Sequence, residues 1–248
     1  MPSEGAKSAM EGPPLGAQAD PGPHWPPPAP GALFVTLEGP DGTGKSTQAR
    51  ALAERLDALG RPVTLTREPG GAPGAEAIRA LLVTGAPGRW SPVSETLLFT
   101  AARRDHVEHV IAPALAAGHV VLCDRYIDST RAYQGAAHRA EVDLLHRRMI
   151  GLDPDLTLIL DLDAPTARAR AAARETAPAG PPSGEDRFER KGAGFQAALQ
   201  ATFHEIAAAE PERCRIVSAS GTPEAVTERL WAVLAPKLTG GTSREARS

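Results

Sequence analysis

The chain contains no asparagine. GTPases of the common kind read guanine through an N-K-x-D motif, so that class is excluded, and an LSGGQ-type transporter signature is absent as well. There are only two cysteines, Cys123 and Cys214, far apart and without a C-x-x-C or histidine pairing. This argues against a zinc site or a disulfide framework and suits a reducing cytosol. No run approaches the ~18 apolar residues of a membrane span, and no charged-then-apolar signal opens the chain. The expectation is a cytoplasmic protein with no membrane partner. Charge of one sign is lacking too: 27 basic and 30 acidic residues are interspersed, for a formal net charge of -3. Without a basic footprint there is no case for nucleic acid, and any anion site must be local.

What is present supports one α/β domain with tails, since 42% apolar residues in 248 can fill a sizeable core. Residues 1–30 read as a disordered tail: positions 11–30 carry eleven prolines and glycines, a PPPAP run and no periodicity. The alternative is a proline-rich ligand for a partner, and Trp25 is the one residue there suited to docking. Strands are expected at 33–38, 63–66, 120–123, 156–160 and 214–218. Helices are expected at 46–59, 74–83, 94–117 with a bend at Pro113, in segments up to 150, from 165 to about 174, and at 195–210 and 223–234. Their alternation predicts a mostly parallel five-stranded sheet with helices on both faces, within a domain spanning 31–238. Residues 176–184, rich in Pro, Gly, Ala and Ser, read as a mobile flap, and 239–248 as a frayed tail.

The most demanding pattern is LFVTLEGPDGTGKSTQA. Gly39, Gly44, Lys45 and Ser46 fill G-x-x-x-x-G-K-[ST], the phosphate-binding loop, after an apolar β-branched run and before a helical pattern. Four fixed positions arise by accident in a chain this long about once in a hundred. The loop Gly39-Pro40-Asp41-Gly42-Thr43-Gly44-Lys45-Ser46-Thr47 is therefore the candidate ATP site. Its glycines let backbone N–H groups curl round a phosphate, Lys45 neutralises β and γ oxygens, and the Ser46 hydroxyl can ligate Mg²⁺. In open α/β sheets ligands gather beyond the strand C-termini, so Asp41, Arg67 and Arg125 should converge. Further arginines, Arg103, Arg104 and the cluster Arg168, Arg170 and Arg174, supply guanidinium forks for phosphate oxygens. Arg104 is equally well read as a solvated surface residue, and His106 and His109 as a solvated or interface face.

Six stretches in register, LEGPDGTGKST, TREPGG, LLFTAAR, DRYIDSTRAYQG, PDLTLILDLD and DRFE, resemble the bacterial thymidylate kinases, nucleoside monophosphate kinases of the P-loop class. The resemblance spans about 33–234 and implies a P-loop NTPase fold with a flexible lid at about 168–191. It implies transfer of the ATP γ-phosphoryl to dTMP, with Mg²⁺, in a homodimer. Asp41 would accept from the deoxyribose 3'-OH and help organise Mg²⁺. Phe99 would stack on thymine, Arg103 would reach its carbonyl and Thr130 its edge, and Tyr133 would crowd the 2' position. Arg67 and Arg125 would clamp the dTMP phosphate, with Ser129 and Gln134 in the same substrate-binding run. Asp124 would be a Walker-B-like carboxylate holding Mg²⁺ through water or Ser46, or else a structural group orienting Arg125. Eukaryotic members carry a loop arginine where this chain has Gly42, so the catalytic cation is expected from Arg168, Arg170 or Arg174. The rivals are a related kinase of different base preference and a non-catalytic nucleotide-binding regulatory module.

Overall fold

The computed structural model describes residues 23–86, 88–175 and 193–239, with the side chains of 171–175 and 193 outside that description. The expected flap at 176–184, the lid beyond 175, and residues 1–22 and 240–248 of the tails lie outside the described residues.

Five strands, β1 (Leu33–Glu38), β2 (Val63–Arg67), β3 (Val120–Asp124), β4 (Leu156–Asp161) and β5 (Cys214–Ser218), form one parallel sheet in the order β2-β3-β1-β4-β5. β1 is central and all six of its residues are buried, as a strand covered on both faces requires. Leu33, Val35 and Leu37 point to one face. There they pack with Leu52 and Leu56 of α1 (Lys45–Ala58) and Leu230 and Leu234 of α9 (Pro223–Thr239). Phe34 points the other way, into a cluster with Ile111, Leu115, Val121, Tyr126 and Ile150. α8 (Ala193–Ala209) closes that side at β4 through Leu199, Phe203 and Ile206.

Three departures from expectation have physical causes. The helix expected over 94–117 starts earlier, as α3 (Pro92–His106), because Ser91 accepts the Ser94 N–H and Pro92 fits the first turn. It then widens into a π-helical turn at Val107–Ile111 before α4 (Ala112–Ala116), where Ala112 N–H reaches back to Val107 O. Pro113 cannot donate to its i−4 carbonyl and its ring would crowd it, and the wider turn makes room. α9 continues to Thr239 past Pro236, whose ring is exposed, while Leu238 still packs on the core. Finally, residues 23–30, expected within the disordered tail, run along the body. Trp25 Nε1 donates to Ile150 O at 2.6 Å, Arg104 lies 4.5 Å over the indole, and Ala29 N–H donates to Leu115 O at 2.9 Å.

Candidate active site

The phosphate loop begins where β1 ends, and the turn must be abrupt. Gly39 has φ 129°, and a Cβ there would lie 2.4 Å from Leu160 O, so no larger residue fits. Gly44, at φ 94°, caps α1 and turns the first N–H groups of that helix toward a cavity of about 740 Å³. Residues 41–48 line this cavity, as do Arg67, Phe99, Arg103, Arg125 and Tyr133. Lys45 is buried and its Nζ donates to Gly39 O (3.0 Å) and Pro40 O (2.8 Å). Burial first, and then the positive charge of Arg125, press its pKa down to about 8 against the pull of Asp41 and Asp124. Ser46 Oγ donates to Asp124 Oδ2 at the end of β3.

Directly after β3, Arg125 takes the left-handed region at φ 70°, a cost that non-glycine residues bear chiefly at functional positions. The turn aims its guanidinium at the loop: it donates to Asp41 Oδ1, to Gly39 O at 3.2 Å and to Ser129 Oγ at 3.0 Å. Tyr133, on α5 (Ile127–Gln134), donates its hydroxyl to Asp41 Oδ2 at 2.9 Å, with its ring 5.3 Å from Arg125. Burial raises the Asp41 carboxyl, but the charges of Arg125 and Lys45 outweigh it and hold the group below its ordinary range. Beneath this layer Glu38 is fully buried and accepts from Tyr126 N–H (2.8 Å), Ser129 N–H (3.2 Å) and Ser129 Oγ (2.5 Å). Burial, reinforced by the nearby Asp128, pushes its pKa up to about 7 against those donors.

The end of β2 builds the third wall. Arg67 is exposed and pairs with Glu76 at 3.1 Å, which also accepts from Gly71 N–H at 2.9 Å. Glu68, in contrast, is buried and accepts from Arg103 Nε at 2.8 Å, and Arg103 Nη2 donates to Thr130 Oγ1 at 2.9 Å. His106 corrects an expectation: it is not a solvated residue but fully buried, with Nδ1 3.1 Å from Glu68 Oε1 and Nε2 2.7 Å from Thr66 Oγ1. Three positions after Arg103, it shares that residue's inward face of α3. His109 is exposed. Arg79, on α2 (Pro73–Val83), donates to Pro69 O at 2.7 Å and lines the cavity.

The remaining candidates disperse. Gln134 Nε2 donates to Glu95 Oε2 at 2.7 Å and Gln134 does not line the cavity. On α7 (Ala164–Glu175), Arg168 is exposed and away from the cavity lining. Arg170 lines the cavity and donates to Ala219 O (3.1 Å) and Gly221 O (3.3 Å), beside the loop after β5. The Arg174 side chain lies outside the described residues. Sequence reasoning passed over Glu38, Glu68, His106 and Arg79 as site residues. Glu38 and Glu68 had one usable signal, a carboxylate at the C-terminal end of a strand. No cluster of three or more His, Cys, Asp or Glu able to hold a metal occurs among the described residues. The donor set that does face the cavity, a hydroxyl and a carboxylate, fits a hard cation that keeps waters and phosphate oxygens, as Mg²⁺ does.

The thymidylate kinase family profile matches residues 37–230. The chain is 56% identical over 199 residues to a thymidylate kinase of Dinoroseobacter shibae, covering 79% of this chain and 92% of that one. It is 52% identical over 210 residues to one of Caulobacter vibrioides, covering 83% and 97% respectively. Among solved structures, the thymidylate kinase of Ehrlichia chaffeensis matches with a TM-score of 0.66 and 32% identity, over 83% of this chain and 100% of that one. With a parallel sheet, a phosphate loop after its central strand and an arginine-lined cavity beyond the strand ends, the chain belongs to the thymidylate kinase family.

Proposed function

We propose that the chain transfers the γ-phosphoryl of ATP in line to the 5'-phosphate of dTMP, yielding dTDP and ADP. The observation that carries this reading is the convergence of Lys45 with Arg67, Phe99, Arg103 and Arg125 on one cavity. The acceptor phosphate is already an anion and a nucleophile at neutral pH, so no strong base is required; positioning and charge neutralisation suffice.

On the acceptor side, Phe99 stacks on the thymine, Arg103 and Thr130 address its polar edge, and Arg67 and Arg125 hold the phosphate. Asp41 takes the 3'-OH and Tyr133 excludes a 2'-OH. Ser129 supports Arg125, and Gln134 braces α5 through Glu95. On the donor side, the backbone of 39–47 cradles the polyphosphate and Lys45 leaves its two carbonyls to meet the β and γ oxygens. Ser46 and Asp124 are the residues that would hold Mg²⁺, which would supply positive charge against that of the transferring phosphoryl. Arg168, Arg170 and Arg174 are the candidates for the cation that covers the transferring phosphoryl. Closure of a lid over 168–191 would bring it in and exclude water. Retention of normal kcat after all three become Ala would rule that out.

The chain acts as a homodimer through α3 and α6 (Arg139–Leu145). These helices touch, and Leu97, Leu144 and Met149 are each about half exposed on or beside them. Light scattering showing only monomer at working concentration would contradict this. A cytoplasmic site suits the two buried free cysteines, and no described helix is long and apolar enough to cross a membrane. The deciding experiment is coupled ADP release with ATP and Mg²⁺, offering dTMP, dUMP, dCMP and dGMP in turn. Strong preference for dTMP is expected. Another preferred base would remove the roles given to Phe99, Arg103, Thr130 and Tyr133, and no response to any would leave a nucleotide-binding module.

A further inference from the structure

We infer that Glu38 is a positioning residue for the acceptor phosphate: acting through Ser129, its carboxylate sets the guanidinium of Arg125. The inference rests on the reading that Arg125 receives that phosphate. Glu38 is the last residue of the central strand, and the register pairs Leu37 with Asp124, so Glu38 lies level with Arg125 across the sheet. Each of its two oxygens has a separate task. Oε1 accepts the backbone N–H groups of Tyr126 and Ser129, at 2.8 and 3.2 Å, which closes the turn that holds Arg125 in the left-handed region. Oε2 accepts the Ser129 hydroxyl at 2.5 Å, and that same hydroxyl oxygen accepts from Arg125 Nη1 at 3.0 Å.

The relay is directional. With Glu38 ionised, as it is above its raised pKa of about 7, it can only accept, so the Ser129 hydroxyl must give its hydrogen inward and present a lone pair to Arg125. Glu38 itself is fully buried and cannot touch substrate. Asp41 restrains the guanidinium from the opposite side, so the fork is held between two carboxylates, one direct and one through a hydroxyl. Its remaining N–H groups are then set before phosphate arrives, and the ordering cost of binding falls.

Glu38→Gln tests this with the least disturbance. The amide oxygen can keep both backbone bonds, while the amide NH₂ replaces Oε2, donates to Ser129 Oγ and reverses the relay. The readout is the ratio of the dissociation constants of thymidine and dTMP, measured calorimetrically on the full chain at pH 8.5, where wild-type Glu38 is ionised, because the two ligands differ only by the phosphate. The expected result is a fall in that ratio of about tenfold or more, with thymidine binding and the KM for ATP within about twofold of wild type. Ser129→Ala should lower the ratio similarly, and the double variant should add little to either. Arg125→Ala is the reference. If it collapses the ratio while folded Glu38→Gln does not, the relay is overturned and Arg125 keeps its role. If Arg125→Ala leaves the ratio unchanged, the reading of Arg125 falls and the relay with it. Should Glu38→Gln fail to fold, Ser129→Ala decides on the same ratio. Equal loss of thymidine and dTMP affinity in these variants would mean a purely structural role and would also overturn the proposal.

Discussion

The two sides of the cavity hold their cations differently. On the acceptor side the three arginines assigned to dTMP each rest on a carboxylate, Arg125 on Asp41, Arg103 on Glu68 and Arg67 on Glu76, while Arg79 beside them is held by Pro69 O. On the donor side the cations rest on backbone carbonyls: Lys45 on Gly39 and Pro40, Arg170 on Ala219 and Gly221. A carboxylate fixes direction but cancels charge. A carbonyl leaves the charge whole and holds it loosely. The acceptor side is therefore built for fit to a small, specific monophosphate, and the donor side for attraction of a highly charged polyphosphate, with rearrangement on arrival.

That contrast is tested hardest at Lys45. Because its partners at rest are carbonyls that other donors or water can satisfy, Lys45→Ala should leave the fold intact while removing a cation needed as charge moves. The expected loss in kcat is about 10³-fold or more, some 4 kcal/mol in the barrier, with a melting temperature within a few degrees of wild type. Near wild-type turnover in steady-state assays would break the phosphate-loop mechanism. A large loss of stability instead would place Lys45 with the structural cations of the other side.

Glu68 should behave in the opposite way. Its carboxylate is buried between Arg103 and His106, so Glu68→Gln leaves a buried guanidinium facing a neutral amide. About 3 kcal/mol of stability is expected to go, together with a raised KM for dTMP as Arg103 loses its direction, and the KM for ATP should stay near wild type. Denaturant melts and the two KM values check this in one preparation. A stability loss that leaves the KM for dTMP unmoved would separate Arg103 from the thymine site.

Much of this arrangement is written locally in the chain, and the rest depends on register. The phosphate loop is readable because sharp turns and close backbone approach demand glycine at fixed spacing; Gly39 against Leu160 O is such an approach. Asp124 and Arg125 are readable because an apolar run ending in charged residues marks a strand end at the site. Glu38 shares that strand-end signal, but its task is not readable, since its partners lie some ninety residues onward and only the β1–β3 pairing brings them together. His106 has the same difficulty: its helix pattern also suits a solvated face, and what buries it is Glu68 and Thr66 arriving from β2. Trp25 is a single anchor inside a composition that otherwise argues for disorder. Local composition cannot weigh one indole docked on Ile150 O and Arg104 against that background.

The buried carboxylates of the acceptor side also give stability a pH dependence. Glu38 is raised from 4.5 to about 7, by burial first and then by Asp128. The folded state then holds its proton more tightly than the unfolded chain, and the associated stability, full below pH 4.5, is lost as pH rises through 7. Asp128 has the opposite sign. Burial raises it, but the hydrogen bonds and charges of Arg213 and Arg131 prevail and bring it from 3.8 to about 2. Its contribution is present above 3.8 and lost as pH falls through 2. Between pH 4.5 and 8 the Asp128 contribution should therefore stay constant while that of Glu38 declines, by an amount on the order of 2 kcal/mol. Urea melts at pH 4.5, 6 and 8 measure it, and Glu38→Gln should flatten the decline on the alkaline side. An unchanged slope in that variant would assign the decline to other groups.

The smallest expected effect sharpens the comparison most. Arg170 lines the cavity yet is tied to Ala219 O and Gly221 O, in the turn that leads from β5 to α9. If the donor side rests on loosely held charge, Arg170→Ala removes one attraction among several. The KM for ATP should then rise by up to about fivefold, roughly 1 kcal/mol, with the KM for dTMP and the melting temperature nearly unchanged. The effect should shrink further at high salt, as a screened charge requires. A fall in kcat beyond about a hundredfold, insensitive to salt, would mean something else. Arg170 would then be the cation that closes on the transferring phosphoryl, and its two carbonyl bonds would be the parked position of a committed catalytic group. The donor side would be as specifically built as the acceptor side, with its assembly deferred until ATP binds.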